Sequence, residues 1–483
     1  MGIFNVWIRE VSSLRFSSRI PMSGVKVLLS LEKVTVNRGL NPVLDNFSLR
    51  VNSGEIVGLS GENGCGKSTV IETAAGLLSL REGSVKHQSG SGLQVSADSS
   101  GTRKRLNPFG LCLQKDSTSG EETILEHLQT AGRLTGFEIE QDDLLDLLFS
   151  WNLKHRAHDR IATLSGGLSR RVSILASLVP AMVSSEPILI LLDEPDDGLD
   201  KSSREALVIH LKSLAGAGHG ILMASHDEEL ISHSDRKISW QGSKTIESGE
   251  TPVTNAVSKA TIKARSCNPG PTYRKWINTQ DARTKATIMN GGIAAILVIL
   301  TTMALDPKGM IGADGWRLWT GLVLLPALVV GLVPGPAQRL LERNAVGSWW
   351  AAQTAGKAPD SVSIHVVILG LVSTWMAVLM IPAAELAEIS TIHLSQLVLC
   401  GLLLTLMISR VNLALWVVHR WLPRPKQGAQ MLLVFMIFPW LLVVEGMALL
   451  AVEGANEEVW TMLIGSFGLL VSVFLILHLI RRA

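Results

Sequence analysis

Residues 61–69 read GENGCGKST, which matches the pattern G-x-x-x-x-G-K-[ST] of a phosphate-binding loop. The glycines let successive backbone amides turn inward toward a β-phosphate, because no Cβ blocks the approach. Lys67 would reach the β- and γ-phosphate oxygens, and the Ser68 hydroxyl would complete a Mg²⁺ shell. The apolar run before the loop (55–60) predicts a buried strand, and the run after it (68–78) predicts a helix. The predicted nucleotide contacts in this loop are Gly61, Glu62, Asn63, Gly64, Cys65, Gly66, Lys67, Ser68 and Thr69.

The composition of the chain changes sharply near its middle. Hydrophobic residues make up 47% of the 483 residues, a high share for a soluble protein. Most of the charge lies in residues 1–288, whereas residues 289–480 consist largely of long apolar runs. We therefore expect a soluble half followed by a membrane half. The expected divisions are an N-terminal extension (1–28, with Met1 or Met22 as the start), a nucleotide-binding α/β domain (29–250), a linker with an interfacial helix (251–288) and an all-α transmembrane domain (289–483).

Residues 29–250 alternate strand-like and helix-like segments, which predicts a largely parallel sheet. Gln114 directly follows an apolar strand, residues 109–113, where its side chain can touch both Mg²⁺ and an attacking water. The tetrapeptide Leu164-Ser165-Gly166-Gly167 begins a predicted helix. A serine and two glycines at a helix start predict a second phosphate site.

Two further strands end in polar side chains. The apolar run 188–192 leads into Asp193 and Glu194. Asp193 can hold Mg²⁺ through water, and Glu194 can polarise a hydrolytic water as a general base. Asp200 follows shortly after, and strand 221–225 ends at His226, in a position to contact a γ-phosphate.

In this order, the motifs resemble those of the nucleotide-binding domain of ABC transporters. The resemblance implies that Gln114 is the Q-loop residue and that Leu164–Gly167 is the signature. It implies that Asp193 and Glu194 are the Walker B pair. It further implies that Asp200 ends the D-loop and that His226 is the switch histidine. It also implies ATP and Mg²⁺ as cofactors, with Mg²⁺ held by Ser68, Gln114 and Asp193, and catalysis by Glu194, His226 and Lys67. In that family two domains pair head to tail, so that each ATP lies between one phosphate loop and the signature of the other copy.

The sequence departs from the family pattern at three positions. Leu168 replaces the usual glutamine after the signature, which weakens a polar contact across the ATP. Arg38 stands where the family usually has an aromatic residue. Its guanidinium can stack on adenine, or it can be an exposed loop arginine. Gly198 replaces a commoner alanine. None of these changes removes a phosphate or metal contact, so hydrolysis is still expected.

The basic run Arg103–Arg105 is consistent with a solvated loop or with an anion patch. We favour the solvated loop and expect no nucleic-acid partner.

Six apolar segments follow the linker, at residues 289–305, 316–333, 363–382, 393–418, 429–452 and 459–480. Most are close to the ~20 residues that cross the hydrocarbon core of a bilayer. Arginine and lysine concentrate before the first segment, between the second and third, between the fourth and fifth, and after the last. The opposite loops at 383–392 and 453–458 carry glutamates and no basic residue. This asymmetry predicts six spans in the cytoplasmic membrane, with both termini and the ATPase in the cytosol.

The long cytosolic loop, residues 335–360, is the expected coupling element. Gln338–Trp350 can form an amphipathic helix that rests on the ATPase, or one that lies on lipid alone. Within the spans, Arg410 can snorkel to the cytosolic side, and Glu445 can line a path or pair between subunits. His393 can ligate a metal or heme, or simply be solvated. Pro439 is expected to break the fifth span.

A six-span bundle with little chain outside the membrane resembles the membrane domain of ABC-2 exporters. Residues 340–349 and the proline-broken segment 431–446 also resemble CcmB, the membrane subunit of the heme exporter of cytochrome c maturation. The ATPase half would then match CcmA, so the chain resembles a fusion of the two. The resemblance implies that ATP hydrolysis drives the transfer of heme to its periplasmic carrier, with cytochrome c assembly proteins as partners. It does not imply that this pair of subunits transports heme directly.

One ATPase joined to one six-span bundle is half of a transporter, so a homodimer is expected. Two alternatives stay open. One is an ABC-2 exporter of a lipid, drug or peptide. The other is a membrane-tethered ATPase that transmits a conformational change without moving a substrate.

Overall fold

The computed structural model describes residues 26–39, 41–90, 92–102, 107–241, 244–249, 262–283, 296, 313–332, 340–341, 344–355, 362–379, 391–419 and 436–482. Several predicted features lie outside the described residues. They are the N-terminal extension up to residue 25, the basic run 103–105, the first predicted span except for residue 296, the loop 383–390, and residues 431–435.

A six-stranded sheet forms the centre of the N-terminal half, with the order β11-β10-β3-β9-β8-β6. Its strands are β3 (Ile56–Ser60), β6 (Gly110–Cys112), β8 (Leu189–Asp193), β9 (Gly220–Ala224), β10 (Arg236–Gln241) and β11 (Lys244–Gly249). Every neighbouring pair is parallel except the edge pair of β10 and β11. Strands β8 and β9 are buried along their whole length, as expected for the middle of a parallel sheet covered on both faces. The prediction of a largely parallel sheet is confirmed.

A second, antiparallel sheet has the order β2-β1-β4-β5. It consists of β1 (Val27–Arg38), β2 (Asn41–Asn52), β4 (Glu82–Ser89) and β5 (Gly92–Asp98). The buried residues of β1 and β2 share one apolar cluster with β3 and with helix α1 (Lys67–Ala74). This packing places the helix that follows the phosphate loop between the two sheets.

The remaining helices of this half are α2 (Ile124–Leu134), α3 (Gln141–Ser150), α4 (Gly166–Val183), α5 (Lys201–Gly216) and α6 (Glu228–Ser232), with the short strand β7 (Phe137–Ile139) after α2. Helix α2 begins with a capping box, in which the Thr123 hydroxyl accepts a hydrogen bond from the Glu126 amide and the Glu126 carboxylate accepts one from the Thr123 amide. Helix α4 is buried from Val172 to Val183 and packs on β6 and β8. These contacts fix the start of α4 at the edge of the sheet where β6 and β8 end.

The linker packs on the N-terminal half. Strand β12 (Ala264–Ser266) pairs antiparallel with β7, and helix α7 (Pro269–Arg283) follows it. The Arg283 guanidinium donates to both carboxylate oxygens of Glu126 at 2.6 and 2.9 Å. Trp276 of α7 is 3% exposed, in an apolar cluster that includes residues of α2, α4 and α5. The helix predicted as interfacial thus buries one face against protein.

The C-terminal half is helical. Its helices are α8 (Ala313–Leu332), α9 (Asn344–Gln353), α10 (Ile364–Leu379), α11 (Thr391–His419), α12 (Ile437–Glu453) and α13 (Glu457–Arg482). Helix α8 packs against α10, α11 and α12, and α13 packs against α11 and α12. Within the described residues, two segments are long and apolar enough to cross a membrane, Leu394–Ala414 and Glu457–Leu477, and two shorter apolar helices accompany them.

Helices α10 and α11 meet through two reciprocal glycine–threonine contacts. A Cβ on Gly370 would lie 2.3 Å from the Thr405 hydroxyl, and a Cβ on Gly401 would lie 2.7 Å from the Thr374 hydroxyl. Each threonine hydroxyl is satisfied by the carbonyl four residues before it on its own helix. Small residues spaced four apart on both helices allow this close antiparallel approach, as at helix contacts in membrane proteins.

Candidate active site

The phosphate loop connects the end of β3 to the start of α1. Gly61, Gly64 and Gly66 have φ of +145°, +83° and +114°, a conformation that side chains with a Cβ rarely adopt. The Lys67 ammonium lies over this loop and donates to the carbonyls of Gly61 and Glu62 at 2.8 and 3.0 Å. The helix after the loop spans Lys67–Ala74, which is shorter than the predicted 68–78.

Ser68 and Asp193, both predicted as Mg²⁺ ligands, are in contact. The Ser68 hydroxyl donates to Asp193 Oδ1 at 3.0 Å, although the two residues lie 125 positions apart. Asp193 is 2% exposed at the end of β8. Burial raises the pKa of its carboxyl to about 6, against the Ser68 hydrogen bond that lowers it, and the nearby charge of Glu194 raises it further. A hydroxyl and a carboxylate together fit the oxygen ligands that Mg²⁺ prefers.

Glu194, predicted as the general base, is held between Gln114 and His226. Gln114 Nε2 donates to Glu194 Oε2 at 2.8 Å, and His226 Nε2 lies 2.6 Å from Glu194 Oε1. Glu194 also has φ of +48°, and its amide donates to the Ala224 carbonyl at the end of β9. A non-glycine residue held in the left-handed region is strained, and such strain concentrates at functional sites.

Arg170 organises this site, although none of the sequence motifs includes it. Its buried guanidinium donates to four backbone carbonyls at 2.6–3.3 Å. Two belong to Leu113 and Gln114 after β6, and two belong to Asp193 at the end of β8 and Glu194 directly after it. One side chain on the signature helix thereby ties together the two segments that carry the predicted catalytic residues. The available sequence signal was a pair of arginines, Arg170 and Arg171, in a helix that is otherwise largely apolar.

The signature residues lie at the start of α4. Ser165 is the N-cap residue, and both it and Gly166 are exposed. A Cβ on Gly167 would lie 2.8 Å from the Gly198 carbonyl, so the signature and the D-loop segment are in direct backbone contact. Leu168 is partly buried and packs against the apolar cluster that includes residues of α2, α4 and α5. Leu164 is also partly buried there.

Asp200 and Arg38 have local partners. Asp200 caps α5 by accepting from the Ser203 amide at 3.0 Å, and Arg171 Nη2 lies 3.0 Å from its other oxygen. A hydrogen bond from the Ser203 hydroxyl is the main reason that the pKa of Asp200 is lowered, and the bond from the Ser203 amide lowers it further. Arg38 Nη2 donates to Glu72 Oε2 at 2.5 Å, from the end of β1 to the helix after the phosphate loop. The Arg38 side chain is half exposed.

Helix α9, from the predicted coupling segment, packs on the N-terminal half. The Ala352 carbonyl accepts from the Phe109 amide just before β6, and Gln353 Nε2 donates to the Ala176 carbonyl of α4, at 3.2 and 3.1 Å. The Trp349 ring stacks on His127 of α2 with centroids 4.8 Å apart. Arg339 and Arg343 of the same loop lie outside the described residues.

Polar residues of the C-terminal helices mostly have partners within the same chain. Glu445 of α12 accepts two hydrogen bonds from Arg317 of α8, at 2.6 and 2.7 Å. Asn412 Nδ2 donates to the Leu332 carbonyl at the end of α8. Arg410 and His393 both lie on α11, and Arg410 is half-buried. Pro439 lies in the first turn of α12, where its missing N–H interrupts no helical hydrogen bond.

Comparison with known proteins adds sequence evidence to this geometry. A family model described as ABC transporter matches residues 44–197. A protein of Staphylococcus haemolyticus named as a hemin import ATP-binding protein is 32% identical over 205 residues, which are 42% of this chain and 90% of that protein. The chain belongs to the ABC transporter family. Its ATP-binding domain is of the kind that hydrolyses ATP to drive transport.

Other relatives of this ABC transporter chain are named for the transport of other substrates. The Nod factor export ATP-binding protein I of Cupriavidus pinatubonensis is 30% identical over 211 residues, which are 43% of this chain. The aligned part spans 62% of that protein, less than two thirds of its length. A bacterial ABC transporter cassette solved as a dimer is 24% identical, covers 44% of this chain and 94% of its own, and superposes with a TM-score of 0.37.

The raised pKa of Asp193 predicts how stability depends on pH. The folded carboxyl holds its proton up to about pH 6, whereas the unfolded one loses it near 3.8, so folding stability falls as pH rises between these values. In Mg²⁺-free buffer at pH 7.5, Asp193→Asn should therefore raise the free energy of unfolding by about 1–3 kcal/mol. The asparagine oxygen can still accept the Ser68 hydrogen bond.

The measurement is thermal unfolding of both proteins at pH 7.5 and pH 5, with and without Mg²⁺ and ATP. The difference should shrink at pH 5, and Mg²⁺ with ATP should stabilise the parent chain more than the variant. Asp197→Asn is the matched control, because Asp197 is exposed on the same loop. Equal effects of Asp193→Asn at both pH values would contradict the prediction.

Proposed function

We propose that the chain is an ATP-hydrolysing transporter subunit in which closure of the domain 29–250 around nucleotide moves the helical region 289–483. The observation that carries this proposal is that α9 is hydrogen-bonded both to Phe109, just before the strand leading to Gln114, and to the signature helix α4. A helix bonded to both elements moves when either one moves. The same helix belongs to the C-terminal half, so it can transmit that movement along the chain.

The proposed chemistry assigns a role to each grouped side chain. Lys67 and the amides of residues 61–69 bind the phosphates of ATP, and Ser68, Gln114 and Asp193 hold Mg²⁺, which neutralises charge on the β- and γ-phosphates. Glu194 accepts the proton of the attacking water, and His226 holds Glu194 and the γ-phosphate in position. The contacts of Glu194 with Gln114 and His226 support this assignment. Arg38 is proposed to stack on adenine.

The proposed transmission interface has two layers beside α2. The outer layer is the pair Arg283–Glu126, which fastens α7 to the start of α2. The inner layer is aromatic, with Trp349 on His127, and Trp350 beside Trp276 at 4.6 Å between ring centroids. Buried aromatic contacts contribute more to the free energy of the interface than a partly exposed ion pair, because they remove a large apolar area from water. We therefore assign the mechanical link to Trp349 and Trp350.

The exposure of Ser165 and Gly166 supports a homodimer, because these signature residues face away from the core of their own chain. Two copies would place each signature against the ATP of the other. The helical region would then contribute six spans per copy to a multi-pass assembly in the cytoplasmic membrane, with the ATPase domains and both termini in the cytosol. The long apolar helices α11 and α13 support membrane embedding.

Heme is the substrate class that we propose first, with cytochrome c assembly proteins as partners. The relative named for hemin import and the resemblance to CcmA and CcmB support it. The relative named for Nod factor export supports the alternative of a different exported substrate. A membrane-tethered ATPase that moves no substrate is the third possibility.

The dimer gives the first test of the proposal. Glu194→Gln should bind MgATP without hydrolysing it, so the ATP-bound homodimer should accumulate. Size-exclusion chromatography with light scattering of the full chain in detergent, with and without MgATP, measures this state. Adding Lys67→Ala to Glu194→Gln removes the phosphate contact and should abolish the ATP effect. A Glu194→Gln chain whose mass is unchanged by saturating MgATP would refute the proposed dimer mechanism.

The aromatic interface gives the second test. In a chain whose Cys65, Cys112 and Cys267 are replaced by serine, maleimide labelling of Cys400 on α11 should change when MgATP is added. Trp349→Ala should remove that nucleotide dependence, because the stack on His127 is lost. Trp460→Ala, which removes a Trp that is 52% exposed on α13, is the control and should keep it. Nucleotide-dependent labelling that survives Trp349→Ala would exclude Trp349 as the link.

The substrate class is tested in the source organism. Deletion of the gene should lower the level of holocytochrome c, measured by heme staining, and the intact gene should restore it. The gene for Glu194→Gln should fail to restore it. Normal holocytochrome c in the deletion strain would reject the heme-related function and leave the other two possibilities.

A further inference from the structure

Asp196 is a buried carboxylate whose role no motif assigns. It lies two residues after Glu194, in the loop between β8 and α5, and is 9% exposed. Its Oδ1 accepts a hydrogen bond of 2.6 Å from the hydroxyl of Ser225, which is fully buried. A short bond from a hydroxyl to a carboxylate is charge-assisted and stronger than a bond between neutral groups.

Ser225 is the residue directly before His226. Its amide donates to the Leu59 carbonyl of β3 at 3.2 Å, and its hydroxyl oxygen accepts from the Asp227 amide at 2.9 Å. The hydroxyl of Ser225, the residue before His226, therefore accepts a hydrogen bond from the amide of Asp227, the residue after it. The same hydroxyl donates to Asp196. These bonds hold the backbone from which the His226 side chain reaches Glu194.

A second contact on the outer side of the same turn is weaker. Asp227 Oδ2 lies 3.0 Å from Arg204 Nη1 of α5, and the arginine side chain is 47% exposed. Exposed ion pairs contribute little to the free energy of a conformation, because water screens them. The buried Asp196–Ser225 bond is thus the stronger restraint on the turn that carries His226.

The bond between Ser225 and Asp196 lies next to the contact between His226 and Glu194. The ladder between β8 and β9 ends at the pair Asp193 and Ala224, followed by the bond from the Glu194 amide to the Ala224 carbonyl. Beyond that point, the described hydrogen bonds that join the two segments are His226 to Glu194 and Ser225 to Asp196. The second bond lies behind the first, on the buried side.

We propose that Asp196 is a positioning residue for ATP hydrolysis, which acts through Ser225 to hold His226 against Glu194. The proposal rests on the proposed roles of Glu194 and His226. Asp196 touches no predicted nucleotide or metal contact through a described hydrogen bond. Its loss should therefore slow the chemical step and leave nucleotide binding in place.

The test uses steady-state ATPase kinetics of the full chain in detergent, with binding of a fluorescent ATP analogue measured in parallel. Asp196→Ala and Ser225→Ala should each lower kcat about 10- to 100-fold, with the KM for MgATP changed by less than about threefold. The double variant should be no slower than the slower single variant, because both remove the same bond. Asp196→Asn keeps an acceptor for the Ser225 hydroxyl and should stay within about threefold of the parent kcat.

Asp197→Asn is the control, because it makes the same charge change on the neighbouring exposed residue and should leave kcat near the parent value. A normal kcat in both Asp196→Ala and Ser225→Ala would overturn the proposal. So would an Asp196→Asn chain as slow as Asp196→Ala, since the carboxylate charge rather than the bond would then matter. A loss of analogue binding equal to the loss of kcat would also overturn it, because the site itself would then be disrupted. If Asp196→Ala does not fold, Ser225→Ala decides alone.

Glu194→Gln and His226→Ala, measured in the same series, separate this inference from the function on which it rests. If both abolish turnover while Asp196→Ala and Ser225→Ala do not, only the positioning role fails. If Glu194→Gln and His226→Ala retain the parent turnover, the proposed function fails, and the positioning role of Asp196 fails with it.

Discussion

The buried guanidinium of Arg170 is the interaction on which the arrangement of the site depends. Its four bonds to carbonyls join the segment after β6 to the segment after β8. A guanidinium carries five N–H donors in a planar fork and can satisfy four carbonyls at once, whereas a lysine ammonium has three donors. Because Arg170 is on α4, movement of the signature helix is coupled to the positions of Gln114 and Glu194.

The same helix is also the place where the C-terminal half makes contact. Gln353 of α9 donates to the Ala176 carbonyl of α4, and the Ala352 carbonyl accepts from the Phe109 amide just before β6. Helix α7 reaches α2 from the linker. The two halves therefore meet at the elements that border the candidate active site, over a contact that is aromatic inside and ionic outside. This arrangement gives a physical route by which nucleotide could affect the helical region.

The helical region has internal order of its own. Glycines at 370 and 401 allow α10 and α11 to approach closely, and the Arg317–Glu445 pair joins α8 to α12. Glutamate and arginine in largely apolar helices are costly unless paired, and here each supplies the partner of the other. From the sequence, Glu445 was expected to line a path through the membrane or to pair between subunits. The structure shows a partner within the same chain, Arg317.

The sequence by itself determined the phosphate loop, the order of the motifs and the parallel sheet, because these follow from local patterns: glycine spacing, apolar runs and the polar residues that end them. It could not show that Ser68 meets Asp193, that Glu194 lies between Gln114 and His226, or that Arg170 and Asp196 are buried beside them, because those contacts join residues far apart in the chain. The burial of Trp349 and Trp276 was equally invisible, since an amphipathic pattern does not say whether lipid or protein covers the apolar face. Only the tertiary structure decided these points, because it alone fixes which strand ends and helix faces come together.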